Sequence, residues 1–168
     1  MTYQLAEPLV DALVDYLDAQ MPDALQAVSD EIGDGSVLHP PETIHLSETL
    51  FDTSTARGCE MAVVVDSVTV PMAAWVQGES IQPIFTLRVL IYVVESDMDV
   101  RRRKMYRYQR AVLTVLDDAM ADAGSFLADY GVGIGAPAAS TSTFEEAFGA
   151  VAGKVTLSYT AHKSETRS

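Results

Sequence analysis

The side chains of this sequence whose types suit chemistry are poorly spaced for it. His39, Glu42, His45 and Glu48 lie close together and belong to metal-ligating types. They lack the HExxH spacing, and Pro40-Pro41 interrupts them. On a strand, neighbours such as His45 and Leu46 would face opposite ways. No metal or other cofactor is expected. Gly131, Gly133 and Gly135 form a GxGxG run followed by Ala136-Pro137. The dinucleotide fingerprint is GxGxxG opening a helix, so this run reads as a loop. The sequence contains no GxxxxGK[ST] and no GxSxG. Cys59 follows Arg57-Gly58, and a nearby cation lowers a thiol pKa. It also opens an apolar segment, where a small buried thiol is common. Asp117-Asp118 and Glu145-Glu146 are adjacent pairs whose side chains diverge, which disfavours a shared proton. Nothing here asks for catalysis, and the sequence reads as that of a non-enzyme.

Charge carries more information. The chain has 168 residues with 11 basic and 24 acidic side chains, a net charge of −13. Its pI near 4.4 disfavours general nucleic-acid binding, because the summed field repels phosphate. A hydrophobic content of 48% fits one globular domain over residues 1–168. A lone cysteine rules out an internal disulfide. The N-terminus lacks the basic start of a secretory leader, and no apolar run approaches the roughly 20 residues of a membrane span. A soluble protein made in a reducing cytoplasm is expected, with no membrane partner.

The charge is unevenly placed. Residues 1–56 contain no Lys or Arg but hold Asp11, Asp15, Asp18 and Asp23 among other acids. Arg101, Arg102, Arg103, Lys104, Arg107 and Arg110 are six of the 11 basic residues. This cluster opens a helix, whose N-terminal end already carries partial positive charge. Asp97 and Asp99 are placed to cap it. The plain interpretation is a solvated basic face. The functional one is that an acidic partner neutralises the cluster, either a DNA backbone or the acidic N-terminal third of a neighbouring copy. The net charge favours the copy, through a head-to-tail contact of the kind that closes into rings.

The elements that position these groups follow from periodicity. Leu5, Leu9, Leu13 and Leu17, with Val10 and Val14, form a helical stripe with Asp11, Asp15 and Asp18 on its wet side. Pro8 suits the first turn, and Pro22 is expected to end this helix or start another. Residues 33–36 stop the helical pattern. Strands are expected over residues 43–50, 60–69, 81–95 and 151–162, the last closing the sheet. A long helix over residues 99–123 buries Met105, Tyr108, Val112, Leu116, Ala119 and Ala123, with Arg103, Arg107 and Arg110 on roughly the opposite face. Residues 131–143 read as a mobile loop and residues 163–168 as a flexible tail. The fold class is α+β: a mixed or antiparallel sheet of about four strands, packed by an N-terminal helix and one long helix.

This order of elements resembles the tail terminator and tail-completion proteins, head-tail connector (neck) components of long-tailed bacteriophages. The residues that carry the likeness are the strand Val89 to Glu95, the acidic turn at Asp97 and Asp99, and the helix with Arg103, Tyr106, Tyr108 and Ala111-Val112-Leu113. The resemblance implies a virion structural protein assembled in the host cytoplasm. It implies a homo-oligomeric ring of six copies that terminates the tail tube and joins it to head-completion proteins. DNA would pass through its channel without sequence-specific binding. It also suggests docking of neighbouring rings by Trp75, by the loop of Gly131, Gly133 and Gly135, and by residues 36–42. The long acidic N-terminal region and dense basic run depart from a typical terminator and fit another neck component, such as a head-tail adaptor. A monomeric α+β ligand-binding module is the competing function class.

Overall fold

The computed structural model describes residues 6–46, 58–69, 80–81, 84–121, 141–146, 152–162 and 165–166. The architecture follows from the alternation in strand β4 (Ile84–Val94). Phe85, Leu87, Val89, Ile91 and Val93 all point to one face and are at most 1% exposed. Strand β2 (Cys59–Thr69) pairs antiparallel on one side of β4, and β6 (Ala152–His162) pairs antiparallel on the other. The register extends the apolar rows across the sheet: Met61, Ile91 and Val155 in one, Val63, Val89 and Leu157 in the next. Two edge strands complete the sheet. β1 (Ile44–His45) lies parallel to β2, and β5 (Thr141–Glu146) lies antiparallel to β6. The order β1-β2-β4-β6-β5 makes a mixed five-stranded sheet. Strand β3 (Ser80–Ile81) pairs separately with β7 (Glu165–Thr166).

Two helices cover the apolar face, giving the expected α+β class. Helix α1 (Glu7–Ile32) packs over β2, and α2 (Met98–Ala121) over β4 and β6. They run antiparallel, because the C-terminal end of α1 meets the first half of α2. Helix α1 passes straight through Pro22 instead of ending there. An interior proline costs about 3 kcal/mol. Its stripe stays in phase on both sides, through Leu13, Leu17, Met21, Leu25 and Val28, all buried. Each such burial contributes roughly 1.5–3 kcal/mol, so packing outweighs the proline. Pro22 and Asp18 are exposed, so water can serve the carbonyl that loses its donor. Gly33, at φ 64, closes the helix with its N–H on Ser29 O.

Helix α2 buries Met105, Tyr108, Ala111, Val112, Val115, Leu116 and Ala119. Its start is capped as expected: Asp97 Oδ1 accepts from the backbone N–H of Asp99 at 2.9 Å and of Val100 at 3.0 Å. The Met105 thioether fills the space a side chain at Gly153 would need, which seats α2 on β6.

Several elements differ from expectation. Of residues 43–50, Ile44 and His45 form a strand, Thr43 and Leu46 do not, and residues 47–50 lie outside the described set. The segment expected to close the sheet is present but not outermost. Strand β5 flanks it, so Thr141 to Thr143 belong to a strand and not to a loop. Glu165 and Thr166, in the expected flexible tail, are strand-paired. Ala123 lies outside the described residues.

Loss of the cap is the expected weak point of the β4–α2 junction. Asp97→Ala should cost about 1 kcal/mol of unfolding free energy. Asp97→Asn should be nearly neutral. Urea titration followed by circular dichroism checks both.

Candidate functional site

The basic cluster is where the sequence concentrates charge, and the structure divides it. Arg101 is 2% exposed, so it is not part of the charged surface. Its Nη1 donates to Glu95 O at 2.8 Å, fastening the end of β4 to the start of α2. Lys104 Nζ donates to Glu95 Oε2 at 2.8 Å. That bond holds the Glu95 carboxyl below its ordinary range. Arg107 donates to the Asp34 carboxylate and to Ser36 Oγ, while Ser36 N–H donates to Asp34 Oδ1 at 3.0 Å. Its hydrogen bonds keep the Asp34 carboxyl well below the usual carboxylate range. Arg110 Nη2 donates to Glu31 Oε2 at 2.6 Å.

Lys104, Arg107 and Arg110 are therefore paired within their own chain. The acidic partner expected from a neighbouring copy is supplied for Arg107 and Arg110 by the end of α1 and its turn. The reason is the antiparallel packing of the two helices, which is not visible as sequence spacing. Arg102 and Arg103 remain exposed.

The same packing sorts the outer surface into two flanks. Met98, Arg102, Tyr106, Gln109 and Leu113 recur at spacings of three or four, so they form one stripe on α2. Met98 is 56% exposed, Tyr106 50% and Leu113 36%. This stripe is rotated about 130° from the Arg107, Thr114 and Asp118 row that faces α1, by 3.6 residues per turn. On α1, Tyr16, Gln20, Asp23 and Ala27 border α2. Asp11, Asp15 and Asp18, all exposed, are rotated about 140° from that row. The helical layer thus has an acidic flank beside α1 and an apolar flank with Arg102 beside α2. Asp23 leaves the expected acidic set and lies instead at the groove between the helices.

Other sequence candidates resolve as follows. Trp75, Gly131, Gly133 and Gly135 lie outside the described residues. Among the described residues, no group of three His, Cys, Asp or Glu side chains could hold a metal. His39 is exposed, and its carbonyl accepts from Tyr108 Oη at 2.7 Å, tying the connector after α1 to α2. His45 Nε2 lies 3.6 Å from Glu60 Oε2. Cys59 is fully buried, and burial pushes its thiol pKa up, so the activated-thiol interpretation fails. No described helix is long and apolar enough to cross a membrane.

No family model and no curated protein matches the sequence. Among solved structures, a chain from the "Virion of native gene transfer agent (GTA) particle" is similar at 11% identity, over 88% of this chain and 94% of that chain. Its TM-score is 0.38, a likeness too remote to carry function.

Two outcomes follow from the ionisable groups. Asp34 and Glu95 ionise more readily in the folded chain than unfolded. Their contribution is full above the ordinary values of 3.8 and 4.5 and is lost as pH falls through their lower folded values. Asp34→Asn and Glu95→Gln should each flatten the loss of stability between about pH 5 and pH 2. Denaturation midpoints across that range measure this. Cys59 should react with a maleimide only as fast as the chain unfolds. Labelling of the native protein at the rate of a free thiol would contradict its burial.

Proposed function

We propose that this protein is a non-enzymatic virion structural subunit. It assembles head to tail into a ring at the head–tail junction of a long-tailed phage. In that role it terminates the tail tube and contacts the head-completion proteins, while DNA traverses the channel. The observation that carries the proposal is the placement of two complementary patches on opposite flanks of one helical layer. Asp11, Asp15 and Asp18 line one flank, and Arg102 with Met98, Tyr106 and Leu113 lines the other. A contact between unlike patches is heterologous, and it closes into a ring when its rotation fits. The apolar and aromatic side chains around an Arg match the composition of interface cores. A net charge of −13 disfavours adhesion to passing phosphate, as a channel requires.

The reading departs from a DNA-binding role for the basic cluster. Arg107 and Arg110 hold α1 and its turn, so they are poor choices for testing assembly. Arg102 is the better probe. The native chain should form a closed multimer near physiological salt, seen by light scattering and electron microscopy, and should release it near 1 M salt, where screening reaches about 3 Å. Arg102→Glu should weaken assembly by roughly tenfold or more, as should Asp15→Lys. The combined variant should regain much of it. A monomer at every concentration and salt would overturn self-driven ring closure and favour a ligand-binding module.

A further inference from the structure

We infer that the groove between α1 and α2 receives Arg103 of a second copy, in a twofold contact distinct from the ring contact. The groove is a cavity of about 230 Å³ lined by Tyr16, Asp23, Ala24, Ala27, Thr114 and Asp118, among others. Small-molecule sites usually run from about 300 to 1,000 Å³, so this one is sized for a single side chain. Ala24 and Ala27 create the hollow. The carboxylates of Asp23 and Asp118 stand exposed at its lip, and Tyr16 and buried Val115 supply apolar surface. That combination suits a long side chain with an apolar stem and a cationic end.

Charge order along α2 identifies the occupant. After Asp99 in the first turn, the outer face is basic at Arg103 and, midway along, Arg110, and acidic toward its end at Asp117 and Asp118. No basic residue stands in the last turn. The acidic C-terminal end therefore carries the sign that the helix dipole disfavours, whereas Asp97 and Asp99 suit the N-terminal end. A second α2 laid antiparallel compensates the acidic end, since opposed dipoles attract and the Arg103 region of each copy meets the other's Asp117 and Asp118. The same register sets Arg103 of each copy against the other's Asp118 and groove. Arg110 of each copy then falls near the twofold axis, where the Glu31 contact at 2.6 Å in its own chain already neutralises it. Arg103 forms no ion pair with a described residue of its own chain. Such an isologous contact stops at two copies, whereas the flank contact continues round a ring. The inference does not depend on the ring.

The test uses the full chain carrying Asp15→Lys, which blocks the flank contact, and reads native mass by sedimentation. A dimer is expected. Because each pair occurs twice, Arg103→Glu should raise its dissociation constant by roughly tenfold or more, as should Asp118→Lys. Combining the two should restore the dimer. Ala27→Leu, which fills the groove without changing charge, should also weaken it, and a merely electrostatic surface would not respond. Circular dichroism must show each variant folded. A monomeric parent, a dimer indifferent to Arg103 and Ala27, or a double variant that stays dissociated would each overturn the inference. If the native chain forms rings while the Asp15→Lys parent is monomeric, this contact fails and the ring reading stands.

Discussion

The structure turns on the antiparallel packing of α1 against α2, which brings the acidic end of α1 onto the cations of α2. Helix α1 closes on Asp30 and Glu31 with no basic residue in its last turn. Helix α2 opens on its Asp97 cap and Asp99, and its cations begin at Arg101. The acidic end of α1 opposes its helix dipole, at a cost of a few tenths of a kcal/mol or more per charge. Laid antiparallel, α2 supplies the cations that this end lacks, through Arg110 with Glu31 and Arg107 with Asp34. Exposed pairs of this kind contribute at most about 1 kcal/mol, so they do not hold the fold together. The apolar stripes over β4 do that.

Once that direction is set, the connector between the helices and the sheet has little freedom. Ser36 and Asp34 are held by Arg107, His39 by Tyr108, and Leu38 is buried beneath them. His39 also lies against Gly58, at φ 93, where the chain turns into β2. The connector thereby joins three elements that have no local reason to meet. The far flanks are defined by the same choice. Whatever faces neither the sheet nor the partner helix becomes the surface that other molecules meet.

Much of this was legible in the amino-acid sequence, and the reasons for what was not are physical. Period-four leucines revealed α1, and the buried stripe from Met105 to Ala119 revealed α2, because a one-sided apolar face has no other explanation. The Asp97 cap was legible for the same local reason. Pro22 misled, since its cost is local while the packing that outweighs it is not. Strand β5 was missed because Thr141-Ser142-Thr143 shows no apolar alternation, and its pairing depends on β6. Arg101 looked like its neighbours in the basic run, and only the tertiary position of that turn buries it. Among candidate site residues, Asp11, Asp15 and Asp18 keep together as expected, whereas Asp23 is turned toward α2 by helical phase. The intrachain partners of Arg107 and Arg110 lie more than 70 residues away in sequence, beyond any spacing rule.

A chain of net charge −13 must still overcome its own repulsion to assemble, and range separates the two effects. Whole-body repulsion acts across the distance between copies, whereas a patch contact acts over a few ångströms. At about 0.01 M salt the screening length is about 30 Å, and each copy feels the full charge of the next. At about 0.15 M it is about 8 Å, and repulsion between distant charges is mostly gone while touching pairs keep their attraction. The few exposed cations therefore matter out of proportion to their number. Arg103, exposed and without an ion pair to a described residue, is opposite in sign to most of the remaining surface. A carboxylate that meets Arg103 at close range gains an attraction that persists when salt has screened the repulsion between whole copies.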